Sequence, residues 1–364
     1  MNLLPKPKKI TEKGGQLLLC HSMYIVISKE ISDNGIYAAK RLQEAIRQET
    51  GLLLRLSVGE TRDGDLSLGI TETLSGQAYE ITINENGVQI LGGDGAGVLY
   101  GVETFCQILQ QYGGALPCMQ IMDAPDMPNR GYYFDQTRGR ILKLEELKKI
   151  ADRMSLYKLN QLQLYVEHTY LFRDFSEMWR DQTPITAEEI RELDSYCRER
   201  HIELVPSLAS FGHLCTLLST KTYGDLCEME DSWKEPFSFW NRMRYHTINV
   251  SDGRSLPLIK KMIAEYMQLF SSDKFNICAD ETFCLGKYKS KELAKECGIH
   301  RLYIDYVKEL AQFLVENGKI PMFWGDIIWN SPELMKELPE TMVCLNWGYA
   351  PEQREDETRA IAQT

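Results

Sequence analysis

From Gly131 onward the sequence repeats one unit, a short apolar run followed by a stretch of helical periodicity, and this repeat restricts the fold more than any other feature. GYYFDQT is followed by Leu144, Leu147, Ile150, Met154 and Tyr157 at helical spacing. NQLQLYV precedes a helix predicted from about Thr186 to Arg200, and IELVPSLAS, KFNICAD, KIPMFWGD and TMVCLNW are the later apolar runs. Strands that alternate with helices lie parallel in one sheet, because each helix carries the chain back to the same edge. The pattern predicts an α/β fold whose main part is a (β/α)8, TIM-type barrel ending after about its sixth strand. Polar and aromatic residues gather at the C-terminal ends of these strands, among them Glu167, His168, His213, Asp280, Glu281, Trp324, Asp326 and Trp347. In a barrel those ends share one face, so positions far apart in sequence converge there.

Residues 1–122 read as a small α/β domain and 123–364 as the barrel, with the proline-punctuated DAPDMPNRG at the junction. In the small domain, LLLCHSMYIVIS and LLLRLSVG are predicted strands. The helix between them is expected to start at a capping Ser32 or Asp33 and stop at Gly51. AYEITINENGVQILGG alternates apolar and polar residues around Asn86-Gly87, which predicts a hairpin. The cluster GGDGAGVLYG has neither the GxGxxG nor the GxxxxGK[ST] spacing of a nucleotide loop, so it is expected to be a turn leading into a packed helix.

The net charge of −11 argues against nucleic-acid binding, which needs a basic face to displace counterions. No stretch reaches the ~20 apolar residues that span a bilayer, and MNLLPKPKKITEKGGQ has the wrong order of basic and apolar residues for a signal peptide. Ten cysteines without a CxxC pair predict reduced, packing thiols and a cytoplasmic location. Six histidines without HExxH or HxxxH spacing predict no zinc site.

KFNICADETFCLG ends an apolar run on Asp280 and Glu281. One reading is a magnesium-binding strand of the hhhhDE type, but no phosphate-cradling glycine-lysine loop accompanies it. A second is a pair that merely caps the following turn. A third is glycoside cleavage, which needs an acid beside the leaving oxygen and a negative group near the developing cation. Adjacent residues on an extended strand point to opposite sides, so the two carboxylates are not expected to form an ordinary facing pair. They could instead reach two atoms of one sugar: a 2-acetamido oxygen attacks the anomeric carbon, the Asp holds the amide N–H and the Glu protonates the leaving group.

Four motifs then occur in order: RGYYFDQTR (Arg130 to Arg138), KLNQLQLY (Lys158 to Tyr165), SFGHL (Ser210 to Leu214) and the ADE that ends on Asp280-Glu281. With YEITINENGVQILGGDGAGVLYGVETFCQIL upstream, the chain resembles family 20 glycoside hydrolases, the β-N-acetylhexosaminidases, over nearly its whole length. YVEHTY and DETFCLGKY are most similar to a bacterial, non-secreted exo-acting branch. The resemblance implies a retaining exo-hydrolase of terminal β-linked N-acetylglucosamine or N-acetylgalactosamine, without metal or organic cofactor. Glu281 would be the general acid/base, and Asp280 would orient the acetamido group and stabilise an oxazolinium-like intermediate. Arg130 would hold sugar hydroxyls, His213 would set the charge of the acid pair, and Trp324 and Trp347 would wall the pocket. Asp326, Glu167 and His168 are further substrate-binding candidates.

Two departures from the family pattern stand out. The usual His-x-Gly-Gly before the acid pair reads Asn276-Ile277-Cys278-Ala279, and no position matches the tyrosine and tryptophan of the later barrel strands. The expected partners are therefore an amino-sugar glycan and either a homo-oligomer or another chain that completes the barrel. The competing expectation is a truncated barrel that binds amino sugars without turning them over.

Overall fold

The computed structural model describes residues 1–31, 34–350, 352 and 359, so the expected cap at Ser32 or Asp33 lies outside the described residues. Spatial proximity divides the chain into two units. One holds Met1–Tyr132, Glu145–Leu162 and Ser195–Glu203; the other holds Tyr133–Leu144, Gln163–Asp194 and Leu204–Thr364.

The first unit contains a mixed sheet of β1 (Lys9–Leu18), β2 (Tyr24–Ile27), β3 (Arg55–Val58), β4 (Leu66–Ile70), β5 (Tyr79–Asn84), β6 (Gly87–Gly92) and β7 (Ala115–Asp123), in the order β1-β7-β5-β6-β4-β2-β3. The predicted strand LLLCHSMYIVIS is split by a turn, its halves falling in β1 and β2. In β5 the alternation is regular, with Tyr79, Ile81 and Ile83 buried and Glu80 and Thr82 half-buried, as a strand with one face in the core requires. The helices Asn34–Thr50 and Gly95–Tyr112 pack on this core, contributing Leu42, Ile46, Val98, Leu99, Phe105 and Leu109.

The hairpin is present, with Asn84 paired to Gly87, so its turn residues are Glu85 and Asn86, one position earlier than expected. The glycine cluster is the expected turn into a helix. Asp94 caps it by accepting from Gly97 N at 2.8 Å, and Gly97 lies so close to the Ala78 carbonyl that a side chain there would collide with it.

The second sheet runs strictly in chain order: β8 (Gly131–Asp135), β9 (Gln161–Val166), β10 (Glu203–Leu208), β11 (Lys274–Asn276), β12 (Ile320–Trp324) and β13 (Val343–Leu345). The registers from β10 to β13 are parallel, and the six strands in chain order form a curled half-barrel. β9 is buried along its length, which explains why its sequence reads as an apolar run without clean alternation. The intervening helices include Leu144–Leu156, Ala187–Glu199, Ser255–Met267 and Ile299–Glu316. The second of these starts with a reciprocal cap: Glu189 N donates to Thr186 Oγ1 at 3.2 Å, and Thr186 N donates to Glu189 Oε2 at 2.9 Å.

Candidate active site

The acid pair does not sit on an extended strand. β11 stops at Asn276, whose Oδ1 accepts from Cys278 N at 2.9 Å and thereby turns the chain. Cys278, Ala279 and Glu281 then adopt left-handed backbone angles, with φ of 59°, 63° and 49°. Non-glycine residues in that region cost about 1–2 kcal/mol each, so surrounding contacts must hold them. Ser210 Oγ donates to Ile277 O at 2.6 Å, Tyr303 OH donates to Ala279 O at 3.0 Å, and Trp324 N donates to Cys278 O at 2.8 Å. The expectation that adjacent carboxylates point to opposite sides is thus corrected, because the tight turn brings both to the same side.

They meet on His213. Its Nε2 lies 3.3 Å from Asp280 Oδ2 and 3.3 Å from Glu281 Oε2, with the ring buried and both carboxylates partly open to solvent. Burial disfavours the imidazolium, but hydrogen bonds to Asp280 and Glu281 and their charges prevail, pushing its pKa up to about 10. His213 is therefore a cation at neutral pH, held in left-handed backbone at φ 59°.

Asp326, just beyond β12, accepts from Glu281 N at 3.1 Å. Burial and the nearby charge of Asp280 push its pKa up to about 7.

A cavity of about 420 Å³ opens over the pair. Tyr133, Arg138, Trp324 and Trp347 line it with the two carboxylates, and Phe239 and Trp240 come from the long connection between β10 and β11. Tyr133 and Trp324 meet edge to face at 5.1 Å between centroids. Arg138 is aimed by two contacts: its Nε donates to Asp135 Oδ2 at 2.7 Å, and its guanidinium lies 4.9 Å over the Tyr165 ring. Aromatic faces beside a guanidinium fork and two carboxylates suit a ring that carries both C–H faces and hydroxyls.

Of the sequence candidates, Asp280, Glu281, His213, Asp326, Trp324 and Trp347 are brought together. Arg130 is not. It precedes β8, and its guanidinium is spent on Lys158 O at 2.8 Å, Met127 O at 2.7 Å and Gln77 Oε1 at 2.8 Å, all within the first unit. Glu167 is buried, accepting from Tyr165 OH at 2.9 Å and from Arg242 Nη2 at 3.0 Å, and does not line the cavity over the acid pair. His168 lines a different cavity.

Arg138, Tyr133 and the Phe239-Trp240 pair were missed. A signal for Arg138 was available: it follows β8, at the reactive end of a barrel strand, whereas Arg130 precedes it, at the end that serves stability.

His213, Asp280 and Glu281 offer three ligand atoms within 4.8 Å of one another, the spacing of a metal site. The protonated His213 already supplies the positive charge between the two carboxylates, and an imidazolium has no lone pair to give a metal.

Parallel strands that present paired carboxylates and aromatic walls at their C-terminal ends define a barrel of the glycoside-hydrolase class. More narrowly, the chain belongs to glycosyl hydrolase family 20: the family's domain 2 profile matches residues 1–124 and its catalytic-domain profile residues 128–363.

A beta-hexosaminidase of Porphyromonas gingivalis is 23% identical over 365 residues, covering 90% of this chain and 46% of the relative, so the chain spans about half of that protein's length. A beta-hexosaminidase of Akkermansia muciniphila is 30% identical over 189 residues, 46% of this chain and 36% of the relative. The solved β-N-acetylhexosaminidase of Streptomyces coelicolor shares the fold with a TM-score of 0.81 at 19% identity, covering 99% of this chain and 72% of that one.

Proposed function

We propose that this chain carries the catalytic centre of an exo-acting β-N-acetylhexosaminidase that releases terminal N-acetylglucosamine or N-acetylgalactosamine with retention. The observation that carries the reading is the convergence of Asp280 and Glu281 on His213 at the floor of an aromatic cavity.

A terminal sugar enters with its apolar face against Trp324 and Trp347, and Arg138 donates to its hydroxyls. Asp280 accepts from the acetamido N–H, which aligns the acetamido oxygen with the anomeric carbon. That oxygen attacks, the glycosidic C–O bond breaks, and Glu281 gives its proton to the leaving oxygen. The product of this step is a cyclic oxazolinium whose positive charge Asp280 faces. Water then adds to the anomeric carbon, giving its proton to Glu281 and reopening the ring. Two inversions leave the β configuration unchanged.

Release of p-nitrophenol from the β-N-acetylglucosaminide tests the reading. Glu281→Gln is expected to lower kcat by about 10²–10⁴-fold, the usual contribution of a positioned general acid. Wild-type turnover in that variant would overturn the assignment.

A further inference from the structure

A cavity of about 190 Å³ lies wholly within the first unit and shares no lining residue with the one over the acid pair. Pockets for drug-sized ligands run to about 300–1,000 Å³, so this one takes only a small molecule.

Lys158 lines it and is only 5% exposed. Its Nζ donates to Tyr79 OH at 3.0 Å and lies 3.7 Å from Asp123 Oδ2, the oxygen that also accepts from Tyr79 OH at 2.9 Å. The backbone of Lys158 is held in the left-handed region, at φ 60°, with its N donating to Ser155 O at 2.9 Å and its O accepting from Arg130 Nε at 2.8 Å. The amine is thus fixed at the cavity wall rather than free to swing into solvent.

The groups that face this amine come from four elements: Tyr79 on β5, Glu103 on the helix Gly95–Tyr112, Asp123 at the end of β7, and Arg130 ahead of β8. Burial and the charge of Arg130 prevail over the attraction of Asp123 and Glu103, pushing the Lys158 pKa down to about 8. Desolvation and a neighbouring cation are the two means by which a lysine becomes a nucleophile near neutral pH.

The rest of the lining is cationic on balance. Lys8 is matched by Asp126 at 2.6 Å, whereas Lys6 is exposed and its ammonium has no hydrogen bond or ion pair among the described residues. In a chain of net charge −11 this is a place where a small phosphate is not repelled.

We propose that Lys158 is a modification site, acylated by a small acyl phosphate whose phosphate is held by Lys6. Arg130, whose donors are spent on the first unit, adds only its charge. The ammonium first loses a proton to solvent. The amine then attacks the acyl carbon, the bond from that carbon to the phosphate oxygen breaks, and the phosphate leaves with the electron pair. The remaining surplus proton on nitrogen passes by way of Asp123 to the departing phosphate. The product is a neutral amide in place of the ammonium beside Asp123.

Incubation of the whole chain with acetyl phosphate, with each lysine followed by peptide mass spectrometry, tests the inference. At about pH 7.5 Lys158 is expected to react about tenfold faster than the exposed Lys13 and Lys40, because its larger fraction of free amine outweighs its lower basicity. Its rate should level off above about pH 8, while theirs keep rising towards about pH 10. Lys6→Gln should slow Lys158 by about fivefold, the worth of one exposed charge contact, and leave Lys40 unchanged. Acetyl-coenzyme A, too large for the cavity, should show no preference for Lys158.

A Lys158 that reacts more slowly than the exposed lysines, or whose rate still climbs past about pH 9, would overturn the proposal. So would a Lys6→Gln variant that reacts like the wild type, or an equal preference with acetyl-coenzyme A, since either would mean that the phosphate is not held. These readouts are independent of glycoside turnover, so they and the hexosaminidase reading stand or fall separately.

Discussion

Gly212 lies so close beneath Asp280 that a β-carbon on it would stand 2.6 Å from the Asp280 carbonyl oxygen and 3.2 Å from that of Glu281. The glycine preceding His213 is therefore a spacing requirement of the turn that carries Asp280 and Glu281. Gly212→Ala should push the turn off the imidazolium, cost about 1–3 kcal/mol of stability as overpacked sites do, and lower kcat more than it raises KM. Thermal melting alongside steady-state kinetics checks this; an unchanged kcat would show that the turn tolerates displacement.

The charge on His213 has a signature in stability. Its folded pKa is raised from 6.5 to about 10, so its contribution is fully present below about pH 6.5 and is lost as pH rises through about 10. His213→Gln is expected to melt below the wild type by a margin that is widest near pH 6 and narrows towards pH 10. Melting curves across that range decide the matter, and a margin independent of pH would mean that the ring is neutral in the folded protein.

Asp326 behaves oppositely to a salt-bridged carboxylate. Its folded pKa is raised from 3.8 to about 7, so the folded state holds a proton that the unfolded chain gives up, and stability declines as pH rises from about 4 through 7. Asp326→Asn keeps an oxygen that can accept from Glu281 N and removes the titration. The variant should gain on the wild type in Tm between pH 4 and 7, and a parallel pair of melting profiles would count against the assignment.

The two arginines of RGYYFDQTR should separate cleanly. Arg138→Lys loses the fork that bonds Asp135 and faces the cavity, and a rise in KM of about tenfold with a smaller change in kcat is expected. Arg130→Ala breaks bonds to Lys158 O, Met127 O and Gln77 Oε1, so it should lower Tm and leave KM alone. Michaelis constants and melting temperatures for both variants test the distinction, which an elevated KM in Arg130→Ala would refute.

Much of this protein was legible in its residues. The strand-helix repeat after Gly131 implied parallel strands in chain order, because periodicity is local and each apolar run carries its own strand. The hairpin near Asn86-Gly87 and the turn at GGDGAG were equally readable, since turn chemistry is written within a few residues. The pair Asp280-Glu281 was visible as a motif.

What the local pattern could not supply was direction. An apolar run ending in ADE predicts an extended strand with its two acids on opposite sides. The actual left-handed turn at Cys278, Ala279 and Glu281 is imposed by Ser210, Tyr303 and Trp324, whose bonds to it span 67, 24 and 46 positions of the chain. The choice of Arg138 over Arg130 was likewise made by which end of β8 each residue occupies. By itself, then, the sequence determined the order of elements, the barrel class and the place of the acidic motif at a strand end, because these follow from short-range periodicity and chemistry. Only the tertiary structure decided that both carboxylates share His213 and that Arg138 faces them, because contacts between distant segments can hold a strained turn that no local preference would select.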